Sequence, residues 1–109
     1  MHVVEVRDAD LLDALTRWAK EHAITDAAIV SLIGAADSFT VSTMPQASAL
    51  QDVATDYDRP AEMTGTGEIV GGAVHIHAAM AVEGDHAIAG HLHRAQIGTH
   101  FARVYVIAI

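Results

Sequence analysis

The sequence predicts an α+β fold, in which one compact domain over residues 1–109 has a mainly antiparallel β-sheet packed by one main N-terminal helix. Three observations indicate this class. One stretch of helical periodicity lies near the N-terminus, several short runs with strand-like patterns follow it, and the connections between successive runs are local. A chain of 109 residues is long enough for one hydrophobic core but not for two.

The first strand is expected over residues 2–7, and Asp8 or Asp10 can cap the helix that follows it. The helix is expected to pack one apolar stripe against the sheet, with Trp18 as a core residue. The stripe consists of Leu11, Leu15, Trp18 and His22, with Leu12 and Ala19 beside them.

The middle of the chain predicts two strands, a loop and a third strand. Residues 27–33 form a nearly continuous apolar run, which is typical of a strand buried on both faces, and residues 39–44 are expected to pair with it as a hairpin. Residues 45–60 are polar and acidic, and they predict a long loop with one helical turn. Residues 62–70 predict another strand, which two glycines then break.

The last run, residues 101–109, is almost wholly apolar and predicts a central strand. A small antiparallel sheet has edges that association between chains can cover, so we expect a homo-oligomer.

Composition and charge exclude several classes of protein. The chain is 51% apolar and 18% charged, which indicates a globular rather than a disordered protein. It has no cysteine, so disulfides and thiol catalysis are excluded. No window approaches 18 apolar residues, and the first residues lack the pattern of a signal peptide, so we expect a cytoplasmic protein without a membrane span. Net charge is −8 with no basic run, which weighs against nucleic-acid binding.

Five of the eight histidines lie within residues 73–93, where apolar and polar residues alternate with a period of two. This alternation predicts a β-hairpin with one apolar face and one histidine face. A three-residue loop at 84–86 would set His77 opposite His93, and a five-residue loop of the same parity would serve equally. Either loop gathers four histidines on one face: His75, His77, His91 and His93.

These histidines predict a metal site. Two histidines at positions i and i+2 of a strand can converge on one ion, and a third from the neighbouring strand completes three nitrogens. Three histidines with an open position are typical of a catalytic zinc site, although copper, iron and nickel also suit such ligands. The alternative is a set of solvent-facing histidines on a half-exposed sheet.

Other polar residues are candidates for the chemistry around such a metal. Glu62 leads the strand that feeds the hairpin, so Glu62 or His93 could shuttle protons. Ser31 could border the site, although a hydrogen-bonded core hydroxyl is the simpler interpretation.

An anionic substrate group would need a positive partner. Arg94, Arg103 or Arg59 could hold such a group.

The order and spacing of three motifs carry a family resemblance: IVSLIGA at residues 29–35, His75-Ile76-His77, and Gly90-His91-Leu92 before a β-rich C-terminus. Over about residues 2–109 the chain resembles the plant-and-prokaryote-conserved (PPC or PCC) domain. The resemblance implies a compact α+β domain that assembles as a homotrimer. It also implies a metal site, with zinc as the expected ion, at His75, His77 and His91.

Members of that family are often labelled DNA-binding proteins, and in plants the label accompanies a basic AT-hook. This chain departs from the pattern because it has no AT-hook and no basic arm. It has Ala89-Gly90 where two glycines are usual, and His93 is an addition. The family's glutamate before the hairpin corresponds to Glu62, in different surroundings.

Three functions follow as hypotheses. The first is a homotrimer whose zinc site binds or transforms a small molecule, with hydrolase- or lyase-like chemistry. The second is a DNA-associated regulatory module without catalysis. The third is a trimer in which the metal is purely structural.

Overall fold

The computed structural model describes all 109 residues and contains nine strands and one helix. The elements are β1 His2–Val6, β2 Ala9–Asp10, α1 Leu11–Glu21, β3 Ala27–Ala36, β4 Ser38–Thr43, β5 Val53–Tyr57, β6 Ala61–Val70, β7 Ala73–Val82, β8 His86–Ile97 and β9 Ala102–Ala108.

Every strand pairs antiparallel with its neighbours, in the order β1-β9-β3-β6-β7-β8-β4-β5, and β2 pairs with β8. The predicted α+β class and compact domain are therefore confirmed. The one helix is not long and apolar enough to cross a membrane.

Asp10 is the residue that caps α1. Its Oδ2 accepts a hydrogen bond from the Asp13 backbone N–H at 3.0 Å, and its Oδ1 accepts one from Ala95 on β8 at 2.9 Å. One carboxylate thus both begins the helix and ties it to the sheet. The alternative cap, Asp8, does not make this bond.

The helix buries a narrower stripe than its sequence predicts. Leu11, Leu15 and Ala19 are buried against the sheet. Trp18 is only partly buried and His22 is exposed, so the prediction that they belong to the core is wrong. Ala19 takes the inward position instead, and Trp18 packs at the margin of the core.

The inner face of the sheet forms one core cluster of 24 buried apolar residues. Among the largest fully buried side chains are Phe39, Ile76, Met80, Leu92 and Val104, from four different strands. Full burial of such a side chain contributes roughly 1.5–3 kcal/mol, so the inner faces fix which residues of each strand must point outward.

Strand β3 is buried on one face only, contrary to the prediction. Ile29 and Leu32 are buried, whereas Val30 and Ile33 are 44% and 57% exposed. The register shifts by one residue between Ile29 and Leu32, on the sides of both β6 and β9. This bulge places Ser31 on the outer side with Val30, so Ser31 is exposed and not a core hydroxyl.

The predicted β3–β4 hairpin does not form. Only Asp37 separates the two strands, which is shorter than the roughly two-residue loop that a tight hairpin needs. The Asp37 N–H donates to the Gln96 carbonyl at 2.8 Å, and β4 continues between β8 and β5.

The region predicted as a loop, residues 45–60, contains strand β5. It pairs with β4, and Thr40 Oγ1 donates to Asp56 Oδ1 at 2.6 Å. Four of its five residues are exposed and Tyr57 is half-buried, so this edge strand carries little of the apolar alternation by which strands are predicted.

The remaining strands agree with their predictions. Gly71 and Gly72, at φ +57° and +82°, form a two-residue turn that sets Val70 opposite Ala73. Strand β9 is paired on both sides, by β1 and β3, and the Ile109 N–H donates to the Asp26 carbonyl at 3.0 Å.

Candidate metal centre

The β7–β8 hairpin brings His77 directly opposite His91. Its loop is Glu83–Gly84–Asp85, with Gly84 and Asp85 at φ +88° and +61°. The predicted loop at 84–86, with His77 opposite His93, is therefore wrong by two residues in register. Because side chains alternate with a period of two, this shift leaves each histidine on its predicted face.

Three histidines converge on that face. The ring nitrogens of His75, His77 and His91 lie within 4.8 Å of one another, and the Nε2 atoms of His75 and His77 are 3.1 Å apart. Metal–nitrogen bonds of about 2.0 Å separate the ligand atoms of a tetrahedral site by roughly 3.3 Å, so little adjustment is needed to hold one ion. The set is accessible, since His77 is exposed and the other two are half-buried.

Glu68 on β6 completes this arrangement. It lies directly opposite His75, and its Oε2 is 3.3 Å from His75 Nδ1. A carboxylate at this position favours a proton on Nδ1 and leaves the Nε2 lone pair for a metal, as in many histidine–metal sites. Sequence reasoning missed Glu68, although the two-residue turn at Gly71-Gly72 is sufficient to set it opposite His75.

The environment of the His91 imidazole favours its neutral form. Partial burial lowers the pKa of the His91 imidazole, and the positive charges that His93, His75 and His77 can carry lower it further. Asp52 acts in the opposite direction and is the smallest of these influences. Neutral imidazole is the form that binds metals, so the lowered pKa of His91 is compatible with a metal at this site.

His93 lies beside the three-histidine set. Its ring centroid is 4.5 Å from that of His91, and its Nε2 is 2.7 Å from Ser42 Oγ. Ser42 is the one buried polar residue of the chain. The β4–β8 register shifts by one residue at His93, between the Leu92 and Arg94 pairs, which is a β-bulge. His93 is exposed and lies next to the three histidines on the outer face, and because of the bulge it is Ala95, two residues later, that is buried.

Arg94 follows His93 on the same strand. Its guanidinium donates to Ser38 Oγ at 3.0 Å and to Thr40 Oγ1 at 3.3 Å, both on β4. The side chain is half-buried and makes no ion pair, so its charge is not neutralised within the chain.

Ser31 and Arg103 lie elsewhere on the sheet. They belong to β3 and β9, which are two and three strands away from β7. Arg103 pairs with Glu5 at 3.1 Å, and its guanidinium lies 4.2 Å from the centre of the Phe101 ring. The structure therefore does not bring these two candidates to the histidines.

Glu62 and Arg59 are also apart from the histidines. Glu62 lies opposite Ala81 and lines an open cleft of about 820 Å³ that contains none of the three clustered histidines. Arg59 donates to the Glu83 carbonyl at 3.4 Å, at the end of that cleft. The depression that adjoins His75, His77 and Glu68 is smaller, about 240 Å³. This depression is the candidate site because of the histidines and the carboxylate beside it, and not because of its size.

Comparison with known proteins identifies the fold. The chain matches the family model of the Plants and Prokaryotes Conserved (PCC) domain over residues 1–109. Among curated proteins, no sequence matches it significantly.

Several solved structures are similar. A "Putative DNA-binding protein" from Ralstonia eutropha JMP134 is 23% identical with a TM-score of 0.85, over 98% of this chain and 76% of that one. A plant- and prokaryote-conserved (PPC) protein from Pyrococcus horikoshii is 16% identical with a TM-score of 0.83, over 99% and 79%. A "Metal-containing Protein" from Archaeoglobus fulgidus is 21% identical with a TM-score of 0.75, over 98% and 79%.

These identities show a shared fold, and the family match spans every residue of the chain. The resemblance carried by residues 29–35, His75-Ile76-His77 and Gly90-His91-Leu92 is thereby confirmed. The protein belongs to the Plants and Prokaryotes Conserved (PCC) domain family.

Proposed function

We propose that this protein is a homotrimer in which each chain binds a zinc ion through His75, His77 and His91 and uses the site to bind or transform a small molecule. The observation that carries the proposal is the convergence of three ring nitrogens within 4.8 Å, with Glu68 behind one of them. The similar A. fulgidus protein is described as metal-containing, which supports a metal on this fold.

The side chains at this site are suitable ligands for a zinc ion. Three neutral imidazoles suit zinc, and the smaller depression beside them leaves room for a further ligand. When bound with an open position, zinc polarises a carbonyl or provides hydroxide near neutral pH, which is the basis of hydrolase- and lyase-like chemistry. Glu68 holds the proton of His75 at Nδ1 and so orients that ring.

Two neighbours would act on the small molecule. His93 offers an imidazole for proton exchange beside His91, and its contact with Ser42 holds the ring in place. Arg94, with no carboxylate partner, would bind an anionic group such as a carboxylate.

Association into a trimer is supported by the outer face of the sheet. Val3, Val30 and Ile33 are 59%, 44% and 57% exposed, on strands β1 and β3. Apolar side chains of this kind on adjoining parts of one face are typical of surfaces that another chain covers. Sedimentation equilibrium of the wild type and of Ile33→Lys tests this: we expect three chains per particle, and a smaller particle for the variant.

The decisive experiment is metal content per chain, measured by mass spectrometry on untagged protein after exhaustive dialysis. We expect about one zinc per chain in the wild type and a loss of it in His75→Ala, because two histidines hold zinc far more weakly than three. His86→Ala is the matched control, since His86 is an exposed histidine of the same hairpin that lies outside the cluster. Wild-type protein without metal, or His75→Ala with full metal, would refute the proposal.

A DNA-associated function is the second candidate, because the R. eutropha relative carries that name. The net charge of −8 opposes it, since binding to DNA draws on cationic contacts with phosphates. Fluorescence anisotropy with a labelled duplex at low salt separates the two. Binding that weakens steeply with salt would favour the DNA function, and no change in anisotropy would remove it.

A further inference from the structure

Three aromatic rings pack together where the helix meets the edge of the sheet. Trp18 stacks on His22 with ring centroids 4.8 Å apart and an angle of 28° between the planes. His2 approaches the Trp18 ring edge-on, at 5.2 Å, and its centroid is 6.4 Å from that of His22. This cluster lies on β1 and α1, and β1 is four strands away from β7, so it is separate from the three-histidine site.

The His22 ring is held in the orientation that is typical of metal-binding histidines. Its Nδ1 lies 2.8 Å from the Trp18 carbonyl oxygen. A carbonyl only accepts hydrogen bonds, so Nδ1 carries the proton and donates it, and Nε2 keeps its lone pair. Histidines that bind metals use this arrangement, with one ring nitrogen donating to a backbone carbonyl and the other facing the ion. Stacking on Trp18 holds the plane of the ring.

His22 also stands at a favourable position for a cation. It is the C-cap residue of α1, and the carbonyl end of a helix carries partial negative charge. His2 and His22 are both exposed, so an ion can reach them from solvent.

The distance between the two rings fits a shared ion. With metal–nitrogen bonds of about 2.0 Å, two imidazoles on one ion have centroids roughly 5 to 6.5 Å apart, depending on the angle at the metal. The observed 6.4 Å lies at the wide end of that range, and the three-histidine set spans 4.8 to 5.7 Å. The His2 side chain is exposed, so its ring can rotate toward His22 when an ion binds.

We propose that His2 and His22 form a second transition-metal site, which binds Cu²⁺ in preference to Zn²⁺ and links the edge strand β1 to the end of α1. Two imidazoles give the ion two protein ligands, and water supplies the others. Affinity for divalent metals at nitrogen ligands rises to a maximum at Cu²⁺, which sets the preference. This site goes beyond the proposed function and does not depend on it.

Trp18 provides the readout. It is the only tryptophan of the chain and contacts both rings, so Cu²⁺ bound there quenches its fluorescence. The titration uses CuCl₂ and an untagged His75→Ala/His77→Ala/His91→Ala chain, in which all three histidines of the first site are removed. We expect quenching that saturates at one equivalent of Cu²⁺. EDTA, which removes the copper, should restore the fluorescence, and Zn²⁺ at the same concentration as Cu²⁺ should not, because the site prefers Cu²⁺.

His22→Gln and His2→Ala are the test variants, with His100→Ala as the matched control on another part of the surface. Each test variant should weaken binding by at least the roughly 10-fold that loss of a group supporting a metal site costs. The control should bind as before, and far-UV circular dichroism verifies that all three are folded. Quenching that does not saturate, or that is equally strong in either test variant, would overturn the proposal. Neither result bears on zinc at His75, His77 and His91.

Discussion

Glu68 and His75 face each other across the β6–β7 ladder, with Glu68 Oε2 3.3 Å from His75 Nδ1. The pair is a consequence of the turn that precedes β7. Because Gly71 and Gly72 form a two-residue turn, every cross-strand pair between β6 and β7 is fixed, and this carboxylate meets this imidazole.

Glu68→Gln should lower zinc affinity by roughly 10- to 100-fold, because an amide no longer stabilises the Nδ1–H form of His75 as a carboxylate does. The measurement is a competition titration with a chromogenic chelator. Glu62→Gln is the control, since Glu62 lies on the same strand but lines the separate cleft. Equal affinities for the two variants would show that Glu68 does not support the site.

Acidification should release the metal and also weaken the metal-free fold. The lowered pKa of His91 means that the unfolded chain takes up a proton at a higher pH than the folded chain does. The free energy of unfolding therefore falls as pH drops below about 6.5, the ordinary value for histidine. Urea denaturation of metal-free protein between pH 7.5 and 5 measures this effect. In His91→Gln the dependence on pH should be shallower, and an unchanged slope would contradict the assignment.

Gly67→Ala should disturb both stability and metal binding. A Cβ at residue 67 would lie 2.1 Å from the His75 carbonyl oxygen, so β7 would have to move away from β6. Overpacking of this kind costs about 1–3 kcal/mol, and the displacement falls on His75, one of the proposed zinc ligands. Thermal unfolding with and without zinc provides both readouts. Thr66→Ala, an exposed neighbour on the same strand, should change the stability by less than about 0.5 kcal/mol.

Ser42→Ala tests the bulge at His93. The substitution removes the hydroxyl that lies 2.7 Å from His93 Nε2, and loss of this contact should cost about 1 kcal/mol of stability. Zinc affinity should remain that of the wild type, because His93 is outside the ligand set. A large loss of zinc would instead place His93 among the ligands.

Much of the candidate site could be predicted because it depends only on which of the two alternating faces of a strand each residue occupies. The alternation in residues 73–93 identifies the histidine face, and a register error of two residues leaves His75, His77 and His91 on it. The predicted partner of His77 was wrong because the three-residue loop begins at Glu83 and not at Gly84, and the backbone at Gly84 and Asp85 sets that position. The pattern of apolar residues does not report those dihedral angles.

β-Bulges and edge strands account for most of the other differences between the predicted and the observed structure. The bulges beside Ser31 and at His93 change the side of the sheet on which the following residues lie, and no local sequence motif predicts these bulges. Strand β5 has scarcely any apolar face, so its pairing with β4 is a tertiary result. The alternation of apolar residues also could not show that β4 joins β8 and β5 instead of β3.

The position of β9 has a consequence for how the chain folds. It lies between β1 and β3, so His2 pairs with Val106 and Ala28 with Ile107. Strand β1 therefore has no sheet partner, and β3 has only β6, until the last strand of the sheet has been made. Contacts between such distant parts of a chain slow folding, because a large loop must close before any of them is gained. Until β9 arrives, the apolar edge of β3 is exposed, and this interval is when newly made protein is most prone to aggregate.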